Sequence, residues 1–372
     1  MNWKERIAHY DHSRKKILDG GINCIPCPFP RFKSVFPGIQ QAKYYGVTGA
    51  QKSGKTQLAL YLFCLYPLWY AYNNPDKLKI KILYFSLEMS TESLWDRIIS
   101  WWLYVKSNKR HRLSTTELNS LNAEYPLNDQ IIHDLDSTYY ANFLDFIQEN
   151  LIINQYIRNP VGIYKECINI SNQNGSLTYK NVDWMDYESG EIIQKKVIDK
   201  YIPNDPNLYL ICITDHLGLM LVEKSFGGDK GSLYSTIGKF SSNDCVYLRN
   251  VYGWTMVNVQ QQSSEKEGNE SFKLGRMTPT SDGLSDNKST AKDMDTLLGI
   301  YNPHKYDIKT YKGYDITKFR KNIRFMEIIE NREGEGNETC PLYFDGAVNY
   351  FEELPKSNTQ ELKVIEQKYN IQ

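Results

Sequence analysis

The 372-residue chain has no surplus of charge, since Lys and Arg together number 44 and so do Asp and Glu. That balance excludes a protein that coats nucleic acid through a uniformly basic exterior, so any such contact has to be local. A membrane-spanning run is missing too: the longest apolar stretch, residues 58–72, is short for a bilayer and is interrupted by Pro67. The opening residues Met1-Asn2-Trp3-Lys4-Glu5-Arg6 lack the apolar core of a signal peptide, which leads us to expect a cytoplasmic location and no membrane partner. Paired zinc ligands are absent as well. Cys24 and Cys27 have the spacing, but no second Cys or His pair follows at a workable distance, and the seven scattered cysteines are expected to be reduced thiols. Internal repeats and low-complexity tracts, which would signal a solenoid or a disordered segment, do not occur.

What is there is an alternation of short and long patterns. Residues 1–40 open with a short helical stretch and pass into a segment studded with Pro26, Pro28, Pro30 and Pro37, which cannot sustain a helix, so an arm lying over the core is expected. From 41 to 352 short β-rich runs alternate with longer helical stretches. This is the pattern of one α/β domain with a mainly parallel twisted sheet flanked by helices. Strands are expected at 43–47, 79–85, 151–154, 209–214, 255–259, 296–300 and 324–329. Two insertions stand out: a polar helical one at about 105–150, and one at 175–208 that resembles a hairpin around Tyr187-Glu188-Ser189-Gly190. In the tail, residues 353–372, positions 358–369 read as one exposed helix.

The segment Gly49-Ala50-Gln51-Lys52-Ser53-Gly54-Lys55-Thr56, with Gln57 behind it, lies between an apolar strand and a long apolar helix at 56–66. Two glycines let the backbone bend so that its N–H groups converge on phosphate oxygens, where side chains would obstruct. Lys55 is then placed to reach the β- and γ-phosphates, and the Thr56 hydroxyl to meet Mg²⁺. ATP and Mg²⁺ are the cofactors this P-loop implies.

A phosphate cradle needs carboxylates beside it, and two apolar strands end in one. The run at 209–215 closes on Asp215, suited to holding Mg²⁺ through water; a cap after a buried strand is the bland alternative. The run at 82–90 closes on Glu88 at the carboxyl edge of the sheet, where open α/β sheets bind ligands; here it is suited to orienting the attacking water. A solvated or capping glutamate is the ordinary reading of such a position, and Ser90 and Thr91 are cap candidates.

With these motifs in order, the chain resembles the C-terminal RecA-like ATPase domain of DnaB-type replicative helicases, especially the compact phage-encoded members. Ser86-Leu87-Glu88-Met89-Ser90 is similar to the family's Ser-Leu-Glu-Met segment, whose glutamate is the catalytic base, and Arg97 stands where the family has an arginine in the next helix. Thr214-Asp215-His216-Leu217 resembles the metal-aspartate motif. Val257-Asn258-Val259-Gln260-Gln261-Gln262 resembles the strand leading to a γ-phosphate-sensing Gln, a role that falls to Gln261 with Gln260 as the register alternative. Ser285, Asp286, Asn287 and Lys288 match the loop that contacts single-stranded DNA, with Ser285 where an arginine is usual. Ile328-Ile329-Glu330-Asn331-Arg332 resembles the Lys-x-Arg segment that reaches a neighbour's nucleotide: Arg332 matches as an arginine finger, and Glu330 departs from the pattern.

The resemblance implies an ATP-hydrolysing DNA helicase that assembles as a homo-oligomeric ring, six subunits being expected, on single-stranded DNA. Primase or a loader would be a further partner, and the location would be the host cytoplasm for a phage-encoded chain. The family's primase-binding N-terminal domain has no counterpart in the first forty residues, and the arm is expected to dock on the adjacent subunit. A RecA-like recombinase or a non-translocating DNA-dependent ATPase would share the P-loop, Glu88 and Asp215. A DNA-packaging motor fits less well, because His216 follows Asp215 where such motors carry a second acid.

Overall fold

A computed structural model of the chain describes residues 3–185, 188–222, 231–263, 277–336 and 338–369. The apolar runs form nine strands of one sheet. They are β1 (Tyr44–Gly49), β2 (Lys79–Ser86), β3 (Leu151–Asn154), β4 (Leu208–Asp215) and β5 (Thr255–Gln261). Then follow β6 (Thr296–Tyr301), β7 (Ile323–Asn331), β8 (Thr339–Asp345) and β9 (Tyr350–Glu353). Their spatial order is β9-β8-β7-β6-β1-β5-β4-β2-β3. From β6 across to β3 every neighbouring pair is parallel, whereas β6 through β9 pair antiparallel.

Seven strands coincide with the expected ones to within a residue or two. β8 and β9 were not signalled, because Pro341 lies inside the first and the second is only four residues long. Parallel strands covered on both faces need no polar alternation, which is why β4 reads as a continuous apolar run. One face buries Tyr45, Val47, Tyr84, Ile213, Val257 and Val259 against the helical segment after Gly54. The other buries Tyr44, Leu83, Phe85, Cys212 and Met256.

The helix after Gly54 runs further than the apolar pattern implied. It continues from Lys55–Leu60 through a π-turn at Tyr61–Leu65 into Tyr66–Asn73. Pro67 offers no N–H, and the widened turn just before it absorbs the mismatch without ending the helix.

The arm divides in two. Helix Trp3–Leu18 buries none of its residues, but Ile25, Phe29, Phe32, Phe36 and Ile39 are sealed within the first core, so positions 22–39 are built into the domain as well as lying over it. In the helical insertion Phe143 packs on Trp102, ring centroids 4.5 Å apart. In the second insertion, Gly175–Met185 pairs antiparallel with Ile192–Pro203 as a long ribbon; of the turn residues, Tyr187 lies outside the described ones. The tail helix Gln360–Tyr369 is less exposed than its pattern suggested, since Leu362 is buried and Glu366 binds Lys318.

Candidate active site

β1 delivers the chain to Gly49, beside the C-terminal ends of β5 and β6. A side chain at Gly49 would put its first carbon 2.6 Å from both the Ile300 carbonyl oxygen and Ser53 Oγ, so only glycine lets the loop fold back here. Gly54, at φ +103°, closes the turn in the left-handed region and caps the helix that starts at Lys55. Gln51 and Lys52 are exposed at the loop's crest, where the Gln51 carbonyl accepts from Lys305 Nζ at 3.0 Å. Lys55 is buried and its ammonium donates to the Ala50 carbonyl at 2.9 Å, across the mouth of the loop. Gln57 turns away, its amide donating to Gly346.

Asp215 ends β4 beside Ser86 of β2. Thr56 Oγ1 donates to one carboxylate oxygen at 3.1 Å and the Tyr84 hydroxyl to the other at 2.9 Å. Burial pushes this carboxyl above the usual aspartate range, and the two hydroxyl donors hold it back. The strand-to-helix turn after Ser86 is tied by its hydroxyl to the Met89 carbonyl, and Ser90 caps helix Thr91–Lys106. Between them Glu88 is exposed, its carboxylate 3.9 Å from His216 Nε2. Arg97 is half-buried on that helix.

The loop fits a polyphosphate and a hard cation. Ser53 Oγ is buried without a hydrogen-bond partner in the chain, and Gly49 leaves space where any other side chain would collide. A buried carboxylate that already takes a threonine hydroxyl is the donor set Mg²⁺ accepts, with phosphate oxygens completing it. Among the described residues no group of three or more His, Cys, Asp or Glu stands together, so Thr56 and Asp215 would be its protein side of the shell.

Three consecutive glutamines part company at the end of β5. Gln260 points to the far face and is buried; its amide donates to the Ser285 carbonyl and, at 2.8 Å, to that of Asn287, while its oxygen accepts from Thr290. Gln262 is tied to Thr48 and Thr280. Gln261, half-buried, continues the Val257–Val259 row toward the face that carries Asp215 and the P-loop helix, level with Gly49.

The loop held by Gln260 is the predicted nucleic-acid contact. Ser285 is half-buried, Asp286 and Lys288 are exposed, and the backbone at Asp286 is left-handed, φ 62°. Asn287 is buried, its amide donating to Tyr234 and its oxygen capping Ser289, so this side chain anchors the loop.

Arg332 follows β7 at the other end of the sheet. Its backbone N–H donates to Asp295, the residue before β6, and its guanidinium is held by the Lys292 carbonyl and by Asp295 Oδ1 at 3.7 Å. Five residues of β1 separate this level from Gly49, about 16 Å of strand. Exposed Glu330 lines the same cleft as Arg332, Lys288 and Lys292.

Tyr84, His216 and Arg324 also belong to this neighbourhood and were not singled out in the sequence. A polar residue inside an apolar run was the available signal for Tyr84 and Arg324. No such signal marked His216 as a neighbour of Glu88.

No sequence-family model matches the chain, and no curated protein sequence does. Among solved structures it is similar to a helicase ATPase domain, with a TM-score of 0.62 and 16% identity, covering 94% of this chain and 98% of that one. It is also similar to a DnaB-like replicative helicase whose structure was described with its interactions with primase, with a TM-score of 0.63 and 16% identity, covering 95% of this chain and 67% of that one. The likeness is one of fold: the chain has the RecA-like α/β fold of DnaB-type helicase ATPase domains.

Proposed function

We propose that the chain is an ATP-driven DNA helicase motor of DnaB type, working as a ring that hydrolyses ATP between subunits while moving on single-stranded DNA. The observation that carries this reading is the separation within one chain of Arg332 from Lys55, Thr56 and Asp215, at opposite ends of the sheet. A finger that far from its own phosphates serves a nucleotide only on an adjacent copy.

In this reading Lys55 and the loop N–H groups bind the β- and γ-phosphates, and Thr56 and Asp215 hold Mg²⁺. When bound, Mg²⁺ neutralises charge on the transferring phosphoryl group. Glu88 orients the attacking water, helped by its exposure at the strand end. Gln261 senses the γ-phosphate, and its neighbour Gln260 carries the DNA loop, so two adjacent residues of β5 face the two ligands. Ser285, Asp286 and Lys288 contact the DNA backbone through side chains and amides, with Asn287 positioning them. The exposed apolar residues Trp3, Ile7, Tyr10 and Ile17 of the first helix suit docking on the adjacent subunit. Primase or a loader is a candidate partner by likeness to the relative solved with primase in view.

ATP hydrolysis measured against protein concentration, with and without single-stranded DNA, tests this. The rate per subunit should rise with assembly and again with DNA, and forked DNA should be separated. A rate indifferent to both would sink the reading. Glu330 beside Arg332 favours one alternative, a DNA-dependent ATPase whose weak finger lets it act as a switch without translocating. ATP hydrolysis without strand separation would favour that alternative.

A further inference from the structure

Arg324, the second residue of β7, is 5% exposed and lies directly beneath the phosphate loop. Its Nε donates to the Ser53 carbonyl at 2.7 Å, and its Nη1 to the carbonyls of Lys321 at 2.8 Å and Ile323 at 2.7 Å. The guanidinium carbon stacks 4.6 Å from the centre of the Phe344 ring. All of these partners are neutral, and among the described residues no carboxylate pairs with it. A charge buried to this degree ordinarily has a counter-charge, because backbone carbonyls solvate a cation without neutralising it. Burial alone pulls the group down to about 9, which leaves it cationic at neutral pH.

Position narrows what the missing counter-charge is. Nε lies 3.9 Å from where a side chain on Gly54 would begin, on the outer side of the loop whose inner side bears the converging N–H groups. Phe344 and the backbone block the other directions. We propose that Arg324 is a phosphate-positioning residue of the nucleotide site: its charge is matched only when a polyphosphate occupies the loop, and its hydrogen bond to Ser53 sets the loop's curvature for that anion. The inference rests on the reading that the loop holds nucleotide, and it adds a second buried cation, acting through the loop, to Lys55.

Calorimetry on the full chain with ADP, and with inorganic tripolyphosphate as a base-free probe, compares wild type with Arg324→Gln and Arg324→Lys. Glutamine keeps a donor for Ser53 without the charge; lysine keeps the charge. Arg324→Gln should bind both probes about tenfold more weakly, and Arg324→Lys should stay within about threefold of wild type. In steady-state ATP hydrolysis the Gln variant should show the loss in KM, with kcat little changed, a split that a general loss of structure would not produce. Should Arg324→Gln fail to fold, Arg324→Met takes its place as a neutral variant with no polar group to bury. Wild-type affinity in the neutral variant, or an equal loss in the lysine variant, overturns the proposal alone. Failure of wild type to bind either probe overturns it together with the nucleotide reading.

Discussion

At the carboxyl end of the parallel strands, Lys55 and Asp215 are buried and bonded into elements of their own chain, and Thr56 is tied to Asp215. At the opposite end, Arg332 and Glu330 are exposed, and Arg332 is held only by one carbonyl and a shared carboxylate. The first end has the closure needed to hold a small anion in fixed geometry, since electrostatic contacts strengthen where water is excluded. The second has the openness needed by groups that would serve another copy. One chain thus carries unlike halves of two sites, and β7 spans both: Arg324 near its start touches the P-loop, and Arg332 just past its end lies at the far edge.

The comparison breaks most decisively in a mixing experiment. Lys55→Ala and Arg332→Ala should each lower ATP hydrolysis by on the order of a thousandfold, yet a mixture should regain a measurable fraction, because one copy brings an intact loop and the other an intact finger. A mixture as inactive as its components would put both halves in the same chain and contradict the separation. Glu330→Lys should raise the assembled rate by about tenfold, by replacing a repelling carboxylate with a cation beside Arg332; steady-state kinetics at saturating ATP would check it.

Smaller effects sharpen the closed end. Gln260→Leu leaves the Ser285 and Asn287 carbonyls without their donor and should lower stability by about 1–3 kcal/mol in denaturant unfolding, along with DNA stimulation of the ATPase. Burial raises the pKa of Asp215, so its carboxyl protonates, and Mg²⁺ is lost, at a higher pH than for a solvated aspartate. The Tyr84 hydroxyl opposes that shift, and Tyr84→Phe should therefore move the acid limb of the pH–rate profile further up. A limb that stays in place or moves down would show that Tyr84 does not bear on the carboxylate.

Much of this was legible in the chain because it depended on local rules. The P-loop announced itself by two glycines at a fixed spacing before a lysine and a hydroxyl, and the strands before Glu88 and Asp215 by uninterrupted apolar runs. The antiparallel edge was not legible, because Pro341 reads as a break and pairing with a distant strand is what makes β8 a strand. The choice among Gln260, Gln261 and Gln262 stayed open in the sequence, since a one-residue shift of register exchanges the faces of a strand. Pairing of Gly49 with Gln261 removes that ambiguity.

Composition and periodicity by themselves determined the class of fold, the phosphate loop and the strand ends that carry carboxylates, for these follow from backbone geometry and side-chain patterning over a few residues. Only the tertiary structure decided that Thr56 and Tyr84 share Asp215, that Arg324 underlies Ser53, and that Arg332 stands a sheet's length from its own P-loop. Those relations join residues up to 271 positions apart, as Arg324 and Ser53 are. They exist because strands distant in sequence lie side by side, and no local preference encodes which ones will.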